Sequence, residues 1–408
     1  MATLAARTAI PTLSLVLLVA AAILLNYVDR GTIAVAAPLM KSELGLSATA
    51  FGVAVSAFFW IYAPIQLAVG WLCDRFSVYR LLAAGLALWA LATMLTGFVG
   101  SLAGLVLLRL LLGLGESIAF PGSSKIICRH VPPARRSIAN AAVAAAIALG
   151  PAVGTLAGGL ITARYGWRPM FILFGLLTLL WLAPWTALVR TLPPETGRPV
   201  SQRVPVSRLI GSRALWATSF GHFTNNYGFY FLLSWLPLYL VQQRGFSLET
   251  MTLLATMVYV AQAASALLLG WSCDRRVAAG HDEGAACRLL MTGGLALVGL
   301  AILGIAVAPD NRTLAACLLL AGIGSGPCST NLYVIAQIFA GPRAAGTYVG
   351  VQNAVGNFAG IVAPIVTGLI VDWTGSFFNA FLVAAAICGV GAINWAFAVP
   401  RIAPLALD

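Results

Sequence analysis

The chain has 408 residues, 60% of them apolar and 9% charged, with 24 Lys and Arg against 12 Asp and Glu. Soluble domains carry about 25% charged residues, so a water-soluble body of this length lacks the polar surface to clothe it; with a mean hydropathy of +0.93 the chain is predicted to be an all-α membrane protein. The net charge of +12 does not mark a nucleic-acid binder, because the bases punctuate apolar runs instead of gathering on one face or tail.

Crossing the hydrocarbon layer takes about 20 apolar residues. The runs between clusters of Arg, Pro, Gly and Asp predict twelve transmembrane helices, at 12–37, 48–71, 80–99, 103–125, 138–161, 168–189, 214–240, 248–271, 287–308, 312–339, 346–371 and 375–398. The first follows Arg7 as a signal peptide would. It runs on through Asn26-Tyr27-Val28-Asp29-Arg30 to Pro38 without a small-residue cleavage site, which predicts a retained helix. The polar stretch 190–213, with Pro193, Pro194, Pro199 and Pro205, divides the helices six and six. The expected organisation is a six-helix bundle over 1–189, a cytoplasmic linker over 190–213 and a second six-helix bundle over 214–408.

Orientation follows from the bases. With both termini in the cytoplasm, 17 Lys and Arg lie inside or at the inner interface, and five (Lys41, Arg164, Arg168, Arg244 and Arg312) lie outside. This bias predicts an N-in, C-in protein. The seven cysteines, an odd number and mostly within apolar runs, read as small packing residues and not as a disulfide framework.

The halves echo each other. Gly70-Trp71-Leu72-Cys73-Asp74-Arg75 and Gly270-Trp271-Ser272-Cys273-Asp274-Arg275 close the second and eighth helices, 200 positions apart. Gly159-Leu160-Ile161 and Gly368-Leu369-Ile370 stand 209 positions apart at equivalent places. Two parallel six-helix repeats predict a pseudo-symmetric pair with a substrate site between them near the midplane. The turn residues Asp74, Arg75, Asp274 and Arg275 are expected to act as inner-side latches, capping helices or pairing with neighbouring turns. Gly150-Pro151-Ala152-Val153-Gly154, continuing to Gly158-Gly159, is expected to allow close helix packing and gating without taking part in chemistry.

Only Asp29, Arg30, Arg109 and Glu116 fall well inside predicted helices. A charge at the bilayer centre costs roughly 2.5–3.5 kcal/mol or more, so such residues face cavities, pair with one another and mark substrate or proton paths. Arg109 and Glu116 are two turns apart on one helix face, whereas Asp29 and Arg30 point about 100° apart. On this pattern Arg30 takes a substrate carboxylate through its fork, while Asp29 and Glu116 compete for Arg109. Arginine does not deprotonate, so the two acids are the buried groups able to balance substrate charge with protons. A static ion-pair network fixing helix packing is the structural alternative. Tyr27, Tyr62 and Gln66 in the first half, and His222, Asn225, Asn226, Tyr227, Asn331, Gln337, Gln352, Asn353 and Asn357 in the second, supply donors and acceptors suited to hydroxyl groups, or else bridge helices. No metal cluster, catalytic triad or cofactor motif is present: His130 and His281 lie in loops, and Gly322-Ile323-Gly324-Ser325-Gly326 follows no strand.

The paired Gly-Trp-x-Cys-Asp-Arg turns and the Gly150–Gly159 run resemble signatures of the major facilitator superfamily. Asn26–Arg30, Arg109 through Gly113, Gly115 and Glu116 to Phe120-Pro121, Ser234-Trp235-Leu236-Pro237-Leu238-Tyr239-Leu240, and Asn353 through Gly356-Asn357 to Pro364 resemble the anion:cation symporter family. That family includes bacterial galactonate, glucarate and hexuronate transporters, with sialin and the vesicular glutamate transporters as animal relatives. The resemblance spans nearly the whole chain. It implies a monomeric proton-coupled symporter of a small organic anion, such as a hexonate or hexuronate, in a bacterial inner membrane. Asp29 and Glu116 would be protonation sites, Arg109 their tuning partner, Arg30 the carboxylate ligand, and Tyr27, Tyr62 and Asn353 hydroxyl ligands. One departure matters: where galactonate-type members carry a polar residue on helix five, this chain has Ala144-Ala145-Ala146-Ile147-Ala148. That favours, as the alternative, a less hydroxylated or aromatic carboxylate. A drug/proton antiporter is a further rival, set back by the buried arginines; a non-transporting receptor is not expected, since the short tails and the 190–213 linker are expected to leave no room for a signalling domain.

Overall fold

The computed structural model describes residues 2–131, 136–192 and 209–405. The side chains of residues 2–11, Asp74 and Asp274 lie outside the described residues, as does most of the expected linker at 190–213. Among the described residues there is no strand. In chain order the helices are α1 (Ala2–Glu43), α2 (Ala48–Arg75), α3 (Val78–Thr96), α4 (Leu102–Glu116), α5 (Ala119–His130), α6 (Arg136–Tyr165), α7 (Trp167–Leu180), α8 (Leu182–Val189), α9 (Arg213–Gln242), α10 (Leu248–Ala278), α11 (Glu283–Val307), α12 (Asn311–Asn357), α13 (Ala359–Thr374) and α14 (Phe378–Ile393), followed by a wide π-type turn at Asn394–Ala398.

Eleven stretches of the described chain are long and apolar enough to span a bilayer. The predicted seventh span, α9, is not one of them: it is 30 residues long but carries His222, Thr224, Asn225 and Asn226 in its middle. The predicted span at 103–125 carries a turn at Ser117–Ile118 between α4 and α5, and Leu102–Ile127 remains one apolar stretch of spanning length. Within α12, Gly341 turns the chain at φ 59 and ψ 179, a conformation open almost only to glycine. Helix starts follow the local chemistry. Ser101, Ser247 and Asp282 each accept from a backbone N–H three residues on, and Asp310 accepts from the N–H groups of Arg312 and Thr313.

The chain divides into two compact units, one of 1–46 with 57–198 and one of 47–56 with 199–408. The first unit holds α1 and α3 to α8 with most of α2. The second holds α9 to α14 and the first turns of α2, whose Ala48 and Thr49 N–H groups donate to the Asp372 carboxylate at 2.8 and 2.7 Å. In that unit Phe51, Trp235, Phe377, Tyr239 and Phe381 form a chain of edge-to-face ring contacts. Cys73, Cys273 and Cys287 are buried, and Cys317, Cys328 and Cys388 are free thiols.

Candidate functional site

Two close helix approaches build the site in the first unit. On α6, a Cβ at Gly154 would lie 2.5 Å from the Val28 carbonyl oxygen, and one at Gly150 would lie 2.4 Å from the Tyr27 Cβ. Only glycine lets α6 seat the Tyr27–Arg30 segment of α1 so closely. On α4, a Cβ at Gly113 would lie 2.2 Å from the Phe58 carbonyl oxygen, which draws Arg109 and Glu116 toward α2.

The polar groups converge inside this frame. Arg30 Nε donates to Glu116 Oε2 at 3.2 Å, with side-chain exposures of 9% and 0%. Glu116 Oε1 has no hydrogen-bond partner, and the fully buried Asn26 stands beside the carboxylate without satisfying its own amide. Thr93 on α3 donates to Asp29 Oδ2 at 3.1 Å. Arg109, 6% exposed, has no partner at Nε and is within electrostatic reach of Glu116, Arg30 and Asp29. Three rings face the Arg30 guanidinium: Tyr27 at 4.9 Å, Phe58 at 5.3 Å and Tyr62 at 4.8 Å from its central carbon. Phe58 also receives Arg109 at 5.2 Å. Such distances bring cation–π attraction, which strengthens where water is excluded.

This pairing differs from the expected competition of both acids for Arg109. Glu116 is bonded to Arg30, Asp29 to Thr93, and Arg109 rests against a ring. The 100° between Asp29 and Arg30 sends one toward α3 and the other toward α4, so the two acids serve different partners. Gln66, one turn beyond Tyr62, is half-buried with Nε2 unpartnered.

The second-half residues serve a separate network in the second unit. Asn226 donates to the Gly356 carbonyl at 3.2 Å and Asn331 to the Pro327 carbonyl at 2.9 Å, both backbone contacts. Asn353 accepts from the Tyr333 hydroxyl at 3.5 Å and, through its carbonyl, from Asn357 at 2.8 Å; Asn357 in turn accepts from Tyr230 at 2.8 Å. Asn225 is half-buried on α9. His222 packs its ring against Gly356 and leaves Nδ1 unpartnered, and Gln352 is buried with neither amide atom bonded. Of the expected latch residues, Arg75 is exposed and Arg275 lies over the Trp271 ring at 4.3 Å. Among the described residues no group of His, Cys, Asp and Glu is placed to hold a metal.

The sequence profile of the Major Facilitator Superfamily matches residues 19–364 and 288–407. The chain belongs to that superfamily. It is therefore a multi-pass membrane transporter and not an enzyme. It is 32% identical over 397 residues to a probable sulfoacetate transporter of Cupriavidus necator, covering 92% of this chain and 90% of the relative. It is 26% identical over 378 residues to a hexuronate transporter of Bacillus subtilis, covering 89% of each. Among solved structures, a bacterial homologue of the human lysosomal transporter Spinster, inward-facing and occupied, superposes with a TM-score of 0.79 at 18% identity, covering 95% of this chain and 96% of that one. This likeness bears on the fold alone.

Three residues of this transporter's first-unit site carry no sequence signal of their own. Phe58 looks like any other phenylalanine of an apolar helix, and Thr93 like any threonine bonding its own backbone. Asn26 was legible only as part of the run into Asp29-Arg30. The signal for Phe58 lies in its relation to Tyr62: it stands four residues earlier, on the same face of α2.

Proposed function

We propose that the transporter carries a small organic anion into the cell by proton symport, across a bacterial inner membrane, as a monomer with both termini in the cytoplasm. A hexonate or hexuronate is the leading substrate class. The observation that carries this reading is the buried Arg30–Glu116 ion pair set among three aromatic rings. Arg30 is a fork that matches a carboxylate or sulfonate, and in this structure a carboxylate of the protein occupies part of it. An arriving anion competes with Glu116 for that fork. Protonating Glu116 weakens the competitor and leaves the guanidinium's charge for the anion, so proton and anion binding favour each other. Asp29, held by a neutral hydroxyl, supplies a second place for a proton. Alternating access between two repeats then releases both on the other side.

The names of the relatives support an anion as cargo: one is a probable sulfoacetate transporter and one a hexuronate transporter. A second reading, a less hydroxylated anion, is favoured by the apolar run Ala144–Ala148 and by the sulfoacetate relative. A thermal-stability panel on the purified protein separates the possibilities, using galactonate, glucuronate, sulfoacetate, benzoate and a lipophilic cation. Stabilisation by one or more anions, abolished in Arg30→Ala, is the expected result. Stabilisation by the cation alone would refute anion transport.

A further inference from the structure

Two like charges, Arg30 and Arg109, stand in the same buried region of the first unit and repel one another. Glu116 is hydrogen-bonded to the first, while Arg109 is buried with its Nε unpartnered. A buried guanidinium without a bonded acid is costly unless something else faces its charge. Phe58 is the side chain that meets both: its ring centroid is 5.3 Å from the Arg30 central carbon and 5.2 Å from that of Arg109. The ring is itself fixed. It is 1% exposed, stacks on Tyr62 with centroids 4.9 Å apart and planes 24° apart, and meets Phe59 edge-on at 4.8 Å. Its own carbonyl oxygen is pressed against Gly113, one turn beyond Arg109.

We propose that Phe58 is a positioning residue for the anion site, its π-electrons holding Arg30 and Arg109 in place together. The consequence concerns the moment when Glu116 lets go. An arginine tethered only by its acid would swing away once that acid is protonated, and the anion would have to reorder it. With Phe58, Tyr27 and Tyr62 facing the guanidinium, Arg30 keeps its aim through the exchange of partners, and the ordering cost of binding falls. Arg109 is held by the same ring near the site with no acid bonded to it; Glu116 is the acid whose charge reaches it most, so protonating Glu116 also leaves more of the Arg109 field to the incoming anion.

The proposal rests on the anion reading above, and the test separates the two. Replacing Phe58 with mono-, tri- and pentafluorophenylalanine drains the ring's negative face while nearly keeping its shape, so a purely steric role is unmoved by the series. The dissociation constants of sulfoacetate and glucuronate should rise stepwise, at least tenfold by the pentafluoro ring, with Phe58→Tyr within about threefold of wild type. A flat series overturns the proposal. A second arm needs no ligand: melting temperatures of Phe58→Leu, Arg109→Gln and the double variant form a cycle. A double variant less destabilised than the sum of the singles supports the ring–arginine interaction, and strict additivity overturns it. If wild type binds neither anion, the anion reading fails, and this cycle still decides the role of Phe58.

Discussion

Substituting Gly113 by alanine tests how the site is built. The added Cβ would lie 2.2 Å from the Phe58 carbonyl oxygen, and restoring the 3.4 Å of ordinary contact requires α2 and α4 to separate by about 1.2 Å. Backbone faces backbone here, so no side-chain rotation relieves the clash, and overpacking of this kind costs about 1–3 kcal/mol. The same displacement is enough to carry Arg109 from 5.2 Å past the ~6 Å limit at which a ring still attracts a cation. Gly113→Ala should therefore melt at a lower temperature and bind anion more weakly, both effects being relieved in no way by ligand excess during folding. Gly293→Ala is the control: nothing stands within 4 Å of a Cβ there, and helix propensity favours alanine by up to ~1 kcal/mol. The readouts are melting temperature and anion affinity of the detergent-purified protein. A Gly113→Ala variant matching wild type in both would refute the claim that this approach sets the geometry.

Further expectations follow from single contacts. Thr93→Val removes the donor to Asp29 Oδ2 and leaves a buried acceptor unsatisfied, at about 1–3 kcal/mol; its melting temperature should fall, and adding Asp29→Asn should change that deficit by less than Asp29→Asn changes wild type. At the start of α12, the Thr313 backbone N–H, with the Thr313 hydroxyl and the Arg312 N–H, holds the Asp310 carboxyl below its ordinary range. A depressed folded-state value means the cap contributes fully above the ordinary carboxylate range and fades as pH falls through the folded-state value. Melting temperatures of wild type and Asp310→Ala should accordingly differ at neutral pH and converge in strong acid; a gap that is constant with pH would contradict this.

The fold was legible because lipid leaves few options: apolar runs of spanning length with bases between them define the helices. Arg30, Asp29, Arg109 and Glu116 were equally legible, since a charge in such a run needs a reason. Their pairing was not. Whether Glu116 meets Arg109 on its own helix or Arg30 on another depends on how closely α6 meets α1 and α4 meets α2, and that is set by Gly150 and Gly154 for the first approach and by Gly113 for the second. The glycine run on α6 was visible, but its role in seating Tyr27 and Val28 was not. The turn at Ser117–Ile118 has no sequence signal, because a serine inside a helix usually leaves the ladder intact, as Ser56 does in α2. On α9, the middle asparagines suggested a ligand surface; Asn226 instead spends its donor on the Gly356 backbone, an outcome that spacing alone does not distinguish.

The central claim is that Glu116 ties the proton to the anion through Arg30. The most direct measurement places wild type and Glu116→Gln in proteoliposomes and follows a bound anion from the stability panel two ways: uphill accumulation driven by an inward proton gradient, and counterflow exchange without a gradient. Glutamine keeps the shape and an acceptor for Arg30 but does not titrate. Counterflow should persist in Glu116→Gln while gradient-driven accumulation is lost. Accumulation at the wild-type level in that variant would contradict it.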